Sequence, residues 1–359
     1  MAALLETALP TALTMDRQIA ALLDDHDVAG AALSIDEGLK AVIAAGLDRI
    51  PLPAQGATKK RWQCLAEVAR HDLALVKLYE SHTDALAILQ EIDTRHVPRP
   101  GVAYAVWASE SRLSPLTIRG RPARLHENSF VVLDGRKAWC SGARIVDVAL
   151  MTASDERGER WLLEVDLGAP GITIDEGAWR AVGMRDSGSF DVVCDGVAAR
   201  LVGGARAYLE RPGFWHGGAG VAACWYGAAA SIGTLVRDPQ IGRDDVHALA
   251  HLGAIDCALA SGRALLRECA AQIDARPAAD FSYRALRVRS AIADMAESVV
   301  HHAARAVGPG PLCNDAQLAR LVADLPIFIR QCRAEHDLVA QSRALLGDHE
   351  RMRTAGWEL

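Results

Sequence analysis

The spacing of apolar residues changes twice along this chain. Over residues 1–98 it is helical. In RWQCLAEVARHDLALVKLYESHTDALAILQEID, Leu65, Val68, Leu73, Val76, Leu78 and Leu86 recur near helical intervals and predict a face packed on a neighbour. An earlier helical stretch, LETALPTALTMDRQIAALLDDHDVAGAAL, is cut off from it by GLDRIPLPAQGATKKR, whose prolines and glycines predict a loop. Over residues 99–203 the pattern shortens to the runs VAYAVW, LTIRG, SFVVLDG, VDVALMTAS, RWLLEVDL, GITID and FDVVCDGV, separated by Gly, Asp, Ser and Pro. Such runs predict strands of a small β-barrel or sandwich, a domain of about 100 residues set between helices. Over residues 204–359 the helical spacing returns, from the Gly/Ala-rich FWHGGAGVAACWYGAAASIGTLVRD to AEHDLVAQSRALLGDHERM. These segments predict a carboxy-terminal antiparallel four-helix bundle with GPGPLCND as a turn. The expected fold class is α+β multidomain: N-terminal helical domain, middle β domain, C-terminal bundle.

Composition narrows the function classes. Half of the 359 residues are hydrophobic, and the net charge of -6 comes from interspersed signs with no block of Lys or Arg. A sizeable core is expected, and a nucleic-acid partner is not. Eight cysteines occur without a C-x-x-C pair, which predicts reduced, mostly buried thiols of a cytoplasmic protein. No stretch approaches the roughly 18 continuous apolar residues of a bilayer span, so no membrane partner is expected. His71 and His82, beside Asp72 and Asp84, read as solvated helix-surface histidines rather than metal ligands. His301, His302 and Cys313 form no metal spacing, and no metal is predicted. The clusters GGAG and VGPGP do not follow a strand in a βαβ unit, and no G-x-S-x-G elbow is present. Rossmann and serine-hydrolase readings are thereby set aside.

Three segments carry a resemblance. They are AVWASES from Ala105 to Ser111, LDGRKAWCSGARIVDVALMTA, and GAWRAVGMRDSGSFDVVCDGVAA. In this order, between helical regions, they resemble the acyl-CoA dehydrogenase family, whose strand along the flavin, N-G-x-K-x-W-I-T-N signature and L-G-x-R-x-S pattern they match in turn. The resemblance implies FAD as cofactor, an acyl thioester oxidised at its α,β positions, an external electron acceptor, and a homodimer or homotetramer. The residues suit a flavin on their own chemistry. An indole such as Trp107 or Trp139 stacks on a planar ring for about 0.5–1.5 kcal/mol beyond its burial. A hydroxyl such as Ser109 or Ser141 can hydrogen-bond the flavin N5 and carbonyl oxygens. The plainer alternative makes both tryptophans core residues and both serines exposed turn residues.

The resemblance extends into the helices. SIGTLVRDPQIG resembles the family segment R-x-x-F-G and implies that Arg237 contacts a flavin pyrophosphate across a subunit interface, although Ile241 and His247 stand where the family has Phe and Gln. VGPGP is similar to the family Gly-rich stretch and implies that Gly308 and Gly310 approach the adenosine half; Pro309 and Pro311 depart from it. At the three positions of the Tyr-Glu-Gly turn that carries the family's catalytic glutamate stand Gln331, Cys332 and Arg333. In WHGGAG, the other place from which some members supply a base, only His216 can move a proton. Glu335, or Asp337 beside it, is then the candidate base. Two alternatives stay open: a flavin-dependent monooxygenase of the same fold, which uses oxygen and needs no α-proton base, or a catalytically degenerate flavin-binding protein.

Overall fold

The computed structural model describes residues 13–28, 33–109, 115–119 and 129–347. Four helices come first: α1 (Met15–Val28), α2 (Ile35–Ala44), α3 (Thr58–His71) and α4 (Leu73–Ile92). The long apolar run expected as one helix is two. Asp72 takes an extended conformation, and its Oδ1 accepts the Leu75 N–H at 2.8 Å, so one aspartate ends α3 and caps α4. α2 opens with a complete capping box from Ser34 and Glu37.

Seven strands follow: β1 (Tyr104–Trp107), β2 (Thr117–Arg119), β3 (Phe130–Cys140), β4 (Val148–Ser154), β5 (Arg160–Asp166), β6 (Ile172–Asp175) and β7 (Phe190–Val202). β3, β7, β5, β4 and β2 close into a ring, so the sheet is a small barrel; β1 adds to β4 in parallel and β6 to β7. Among the described residues β1 has a strand on one side only. Its other side is filled by α4. The Tyr104 N–H donates to His82 Nδ1 at 3.0 Å, and the Val106 N–H donates to Ser81 Oγ at 2.7 Å. His82 is therefore not a solvated surface residue: it is 1% exposed, with Nε2 3.3 Å from Asp48 Oδ2. Because Nδ1 accepts, the ring proton sits on Nε2 and points at that carboxylate.

The remaining elements are a helical turn α5 (Ala207–Glu210), then α6 (Gly213–Arg237), α7 (Val246–Ala275), α8 (Ser282–Val307), the short α9 (Pro309–Asn314), α10 (Ala316–Phe328) and α11 (Glu335–Leu346). GPGPLCND is thus not an open turn. Gly308 at φ +68° stops α8, and Pro309 starts α9. α6 is the central element. A Cβ at Gly227 would lie 2.2 Å from the Ala66 carbonyl of α3, so glycine is what permits that approach.

The expectation that nothing approaches bilayer-spanning character needs correction. Residues Gly213–Gln240 and Val246–Ala275 are both long and apolar enough by length and composition. Of the most apolar 18-residue window of the first, 78% lies buried inside the protein, which marks a core helix; only 17% of that of the second does. The outward side of α7 carries Leu249, Gly253, Cys257, Ala260 and Ala264, all exposed.

Asp324 of α10 joins the bundle to the barrel by accepting the Met184 N–H. Burial, with Asp72 and Asp186 nearby, pushes its carboxyl up from 3.8 to about 6. A group whose native value is raised binds its proton more tightly when folded. Its contribution is full below the unfolded value and is lost as pH rises through about 6. Asp324→Asn keeps the acceptor and removes the charge. It should raise stability above pH 6 by on the order of 3 kcal/mol, and flatten the decline between pH 4 and 7, as read by urea unfolding across that range. An unchanged pH profile would show that Asp324 does not govern it.

Candidate flavin site

The turn between β3 and β4 is held from three directions. Trp107 Nε1 donates to the Ser141 carbonyl at 3.0 Å, and Ser109 Oγ donates to the Ala138 carbonyl at 2.8 Å. From the segment before β7, the Ser187 carbonyl receives the Gly142 N–H at 2.8 Å. Ser141 Oγ lies 2.7 Å from Ser189 Oγ, which lies 2.9 Å from Ser187 Oγ, and Ser187 Oγ donates to the Met184 carbonyl at 2.8 Å. Gly142 has φ +71°, and a Cβ there would sit 2.8 Å from Leu78 Cγ of α4. The turn therefore docks directly onto α4.

Trp107, Ser109, Trp139 and Ser141 are thus brought together, with different capacities for a flavin. The indole N–H of Trp107 and the hydroxyl proton of Ser109 are spent on the turn itself, although Ser109 Oγ keeps acceptor capacity. Trp139, at φ +59°, is 59% exposed and leaves its indole open for stacking. Ser141 is only 5% exposed, so it is no exposed turn residue, and its Oγ has acceptor capacity left. An open aromatic face beside one hydroxyl oxygen fits an isoalloxazine edge. Ser187 and Ser189 were not singled out by sequence reasoning; the only signal was their place in the GMRDSGS part of the third segment.

No described hydrogen bond or ion pair ties the other predicted residues to this turn. Arg237 ends α6, more than half exposed, and pairs with its neighbour Asp238 at 2.7 Å. Gly308 and Gly310 flank or lie within α9, which packs on α8 and α10. Glu335 is exposed on the first turn of α11, while Asp337 Oδ2 accepts the Arg333 N–H at 3.0 Å. His216 is buried edge-on against Phe281, ring centroids 5.5 Å apart, and burial lowers its pKa, so it is neutral. His247 is exposed near the start of α7.

A different face of α4 meets α6 and carries charge. Lys77 Nζ stands 3.7 Å from Glu80 Oε2, and Arg211 Nη2 stands 3.8 Å from Asp84 Oδ2. Gly217 of α6 makes room for Asp84, whose Oδ1 would lie 2.9 Å from a Cβ there. Arg289 of α8 donates to the Gly218 carbonyl at 2.8 Å and the Gln331 carbonyl at 3.1 Å, with its guanidinium 5.3 Å from the Trp225 ring. Burial raises the Glu80 pKa despite Lys77. Asp84 Oδ1, Arg211 Nε and Trp225 Nε1 are buried and find no hydrogen-bond partner. Sequence reasoning missed Lys77 and Glu80; their helical spacing with Asp84 was the signal available, and no local pattern shows that α6 covers them. A separate cavity of about 220 Å³ lies by the start of α4, lined by Leu23, Asp72, Leu75 and Arg320, and contains none of the predicted site residues.

No family model matches the chain, and no curated protein matches it by sequence. Solved structures do. Dibenzothiophene monooxygenase TdsC from Paenibacillus sp. A11-2 is 17% identical, over 93% of this chain and 95% of that one, with a TM-score of 0.74. A nitrososynthase from Micromonospora carbonacea var. africana is 19% identical over 93% and 94%, TM-score 0.74. Methanesulfinate monooxygenase MsuC from Pseudomonas fluorescens is 17% identical over 95% and 98%, TM-score 0.75. TdsC has been solved with FMN.

The chain has the acyl-CoA dehydrogenase-like fold. Within this acyl-CoA dehydrogenase-like frame the docking of the turn on α4 is directly testable. Gly142→Ala adds a methyl at positive φ against Leu78 and should cost roughly 2–4 kcal/mol. In a double-mutant cycle with Leu78→Ala the pair should couple by about 1 kcal/mol, measured by urea denaturation. Additivity would mean that the two do not touch.

Proposed function

We propose that this chain is a flavin-dependent monooxygenase that receives reduced flavin from a separate reductase and acts with oxygen on a polar small molecule. The observation that carries this reading is the charged seam where α4 meets α6, with Arg289 of α8 bonded to α6. An acyl chain needs an apolar channel, whereas Lys77, Glu80, Asp84, Arg211 and Arg289 offer paired charges and unmet polar atoms. A dehydrogenase also needs a base at the substrate α-carbon. Gln331, Cys332 and Arg333 hold no carboxylate, and the exposed Glu335 is a poor substitute. The names of the structural neighbours favour the same alternative.

Bound reduced flavin would supply the electrons that activate oxygen. The chain's own part is to stack the ring on Trp139, hold its edge at Ser141, and present a polar substrate from the α4 face. FMN suits the site better than FAD. Gly310 lies within α9 and Gly308 is the single residue between α8 and α9 rather than part of an open loop, Arg237 is already paired, and TdsC is a neighbour solved with FMN. The outward side of α7 supports a homodimer or homotetramer, since an apolar face of this length is better covered by a second copy than left in water. Eight unpaired cysteines support a reducing, cytoplasmic location.

Anaerobic mixing with photoreduced FMN, then oxygen, should give reoxidation kinetics that depend on the protein. Bleaching of bound oxidised flavin by any member of an acyl-CoA panel would return the reading to a dehydrogenase. Glu335→Gln should leave substrate turnover within about twofold, against the 10²–10⁴-fold loss expected if Glu335 were the general base of a dehydrogenation. Ala260→Arg should lower the mass found by light scattering without unfolding the protein; an unchanged mass would remove α7 as the interface.

A further inference from the structure

We infer that Ser187 and Ser189 lock the Ser141 hydroxyl as a hydrogen-bond acceptor, so that the site selects reduced over oxidised flavin. This rests on the flavin reading above. The argument is a count of protons. A serine hydroxyl has one proton to donate and two lone pairs to accept with. The Met184 carbonyl has none, so the 2.8 Å bond takes the proton of Ser187. At the 2.9 Å contact the proton must then come from Ser189. With that proton spent, the 2.7 Å contact must take the proton of Ser141.

All three residues are buried, and the three contacts are satisfied together in this direction only. Turning Ser141 outward to donate would leave a buried contact without its proton. The flavin's N5 is a bare acceptor when oxidised and an N–H donor when reduced; its carbonyl oxygens accept in both states. An acceptor at Ser141 therefore meets N5–H of the reduced ring and repels the lone pair of the oxidised one. The indole of Trp139 stacks on either state and does not discriminate. Ser187 and Ser189 act through Ser141 and are positioning residues.

The test is anaerobic titration of the purified protein with oxidised FMN and with dithionite-reduced FMN, followed by tryptophan fluorescence. Wild type should bind reduced FMN at least about tenfold more tightly, the value of one hydrogen bond. Ser189→Ala removes the acceptor for the Ser141 proton and frees it to meet N5. It should tighten oxidised FMN about tenfold and leave reduced FMN nearly unchanged. Ser189→Thr keeps the hydroxyl and should keep the wild-type ratio. Ser187→Ala breaks the relay at its far end and should shift the ratio in the same direction as Ser189→Ala. Equal ratios in wild type and both alanine variants, or a threonine variant that behaves as the alanine one, would overturn the inference while leaving flavin binding intact. If wild type binds neither form, the flavin reading falls and the inference with it.

Discussion

Everything in this molecule hangs on the side chains of one helix standing in for a β-strand. β1 is paired with β4 along one edge, and on the other its amides at Tyr104 and Val106 would be buried without acceptors. A buried amide left unpaired costs about 1–3 kcal/mol. His82 and Ser81, on consecutive positions of α4, accept those two protons. The same helix inserts Leu78 into the gap left by Gly142 and turns Lys77, Glu80 and Asp84 toward α6. Barrel, the turn after β3 and bundle are thus all registered against α4.

That arrangement explains what could be read from the chain and what could not. The strands were legible because alternation is local, and β3 to β4 fell where LDGRKAWCSGARIVDVALMTA suggested. The same segment places Trp139 at the end of β3 and Ser141 just after it, where the flavin role is proposed for them. The break at Asp72 was not legible, because the apolar spacing runs on through it and only the capping bond reveals it. His82 looked like a solvated residue on a helix face, and Ser81 carried no local signal; their partners lie on a strand beyond a loop. Ser187 and Ser189 approach Ser141 only when β7 pairs with β3, a contact that no local window contains.

The charges on α4 are what the proposed choice between two chemistries rests on. The turn after β3 packs on α4 next to the seam between α4 and α6. An apolar seam would accept a fatty chain and leave proton abstraction to a carboxylate. Here the seam is ionic, Arg289 ties the turn at Gln331 to α6, and three buried polar atoms lack partners. Groups so placed demand a hydrogen-bonding occupant or ordered water. The proposed polar substrate thus rests on a few side chains on α4 and α8 and not on the strand order.

The borrowed acceptors of β1 also limit how the chain can be divided. The barrel resembles a separable module in sequence, yet cut away from α4 it would present two bare amides along an open strand edge. Such an edge recruits the nearest strand, and in a concentrated preparation that is another copy of itself. The amino-terminal helices therefore act as the barrel's built-in guard against self-association. A shortened barrel fragment would be expected to precipitate rather than to fold into a soluble flavin carrier.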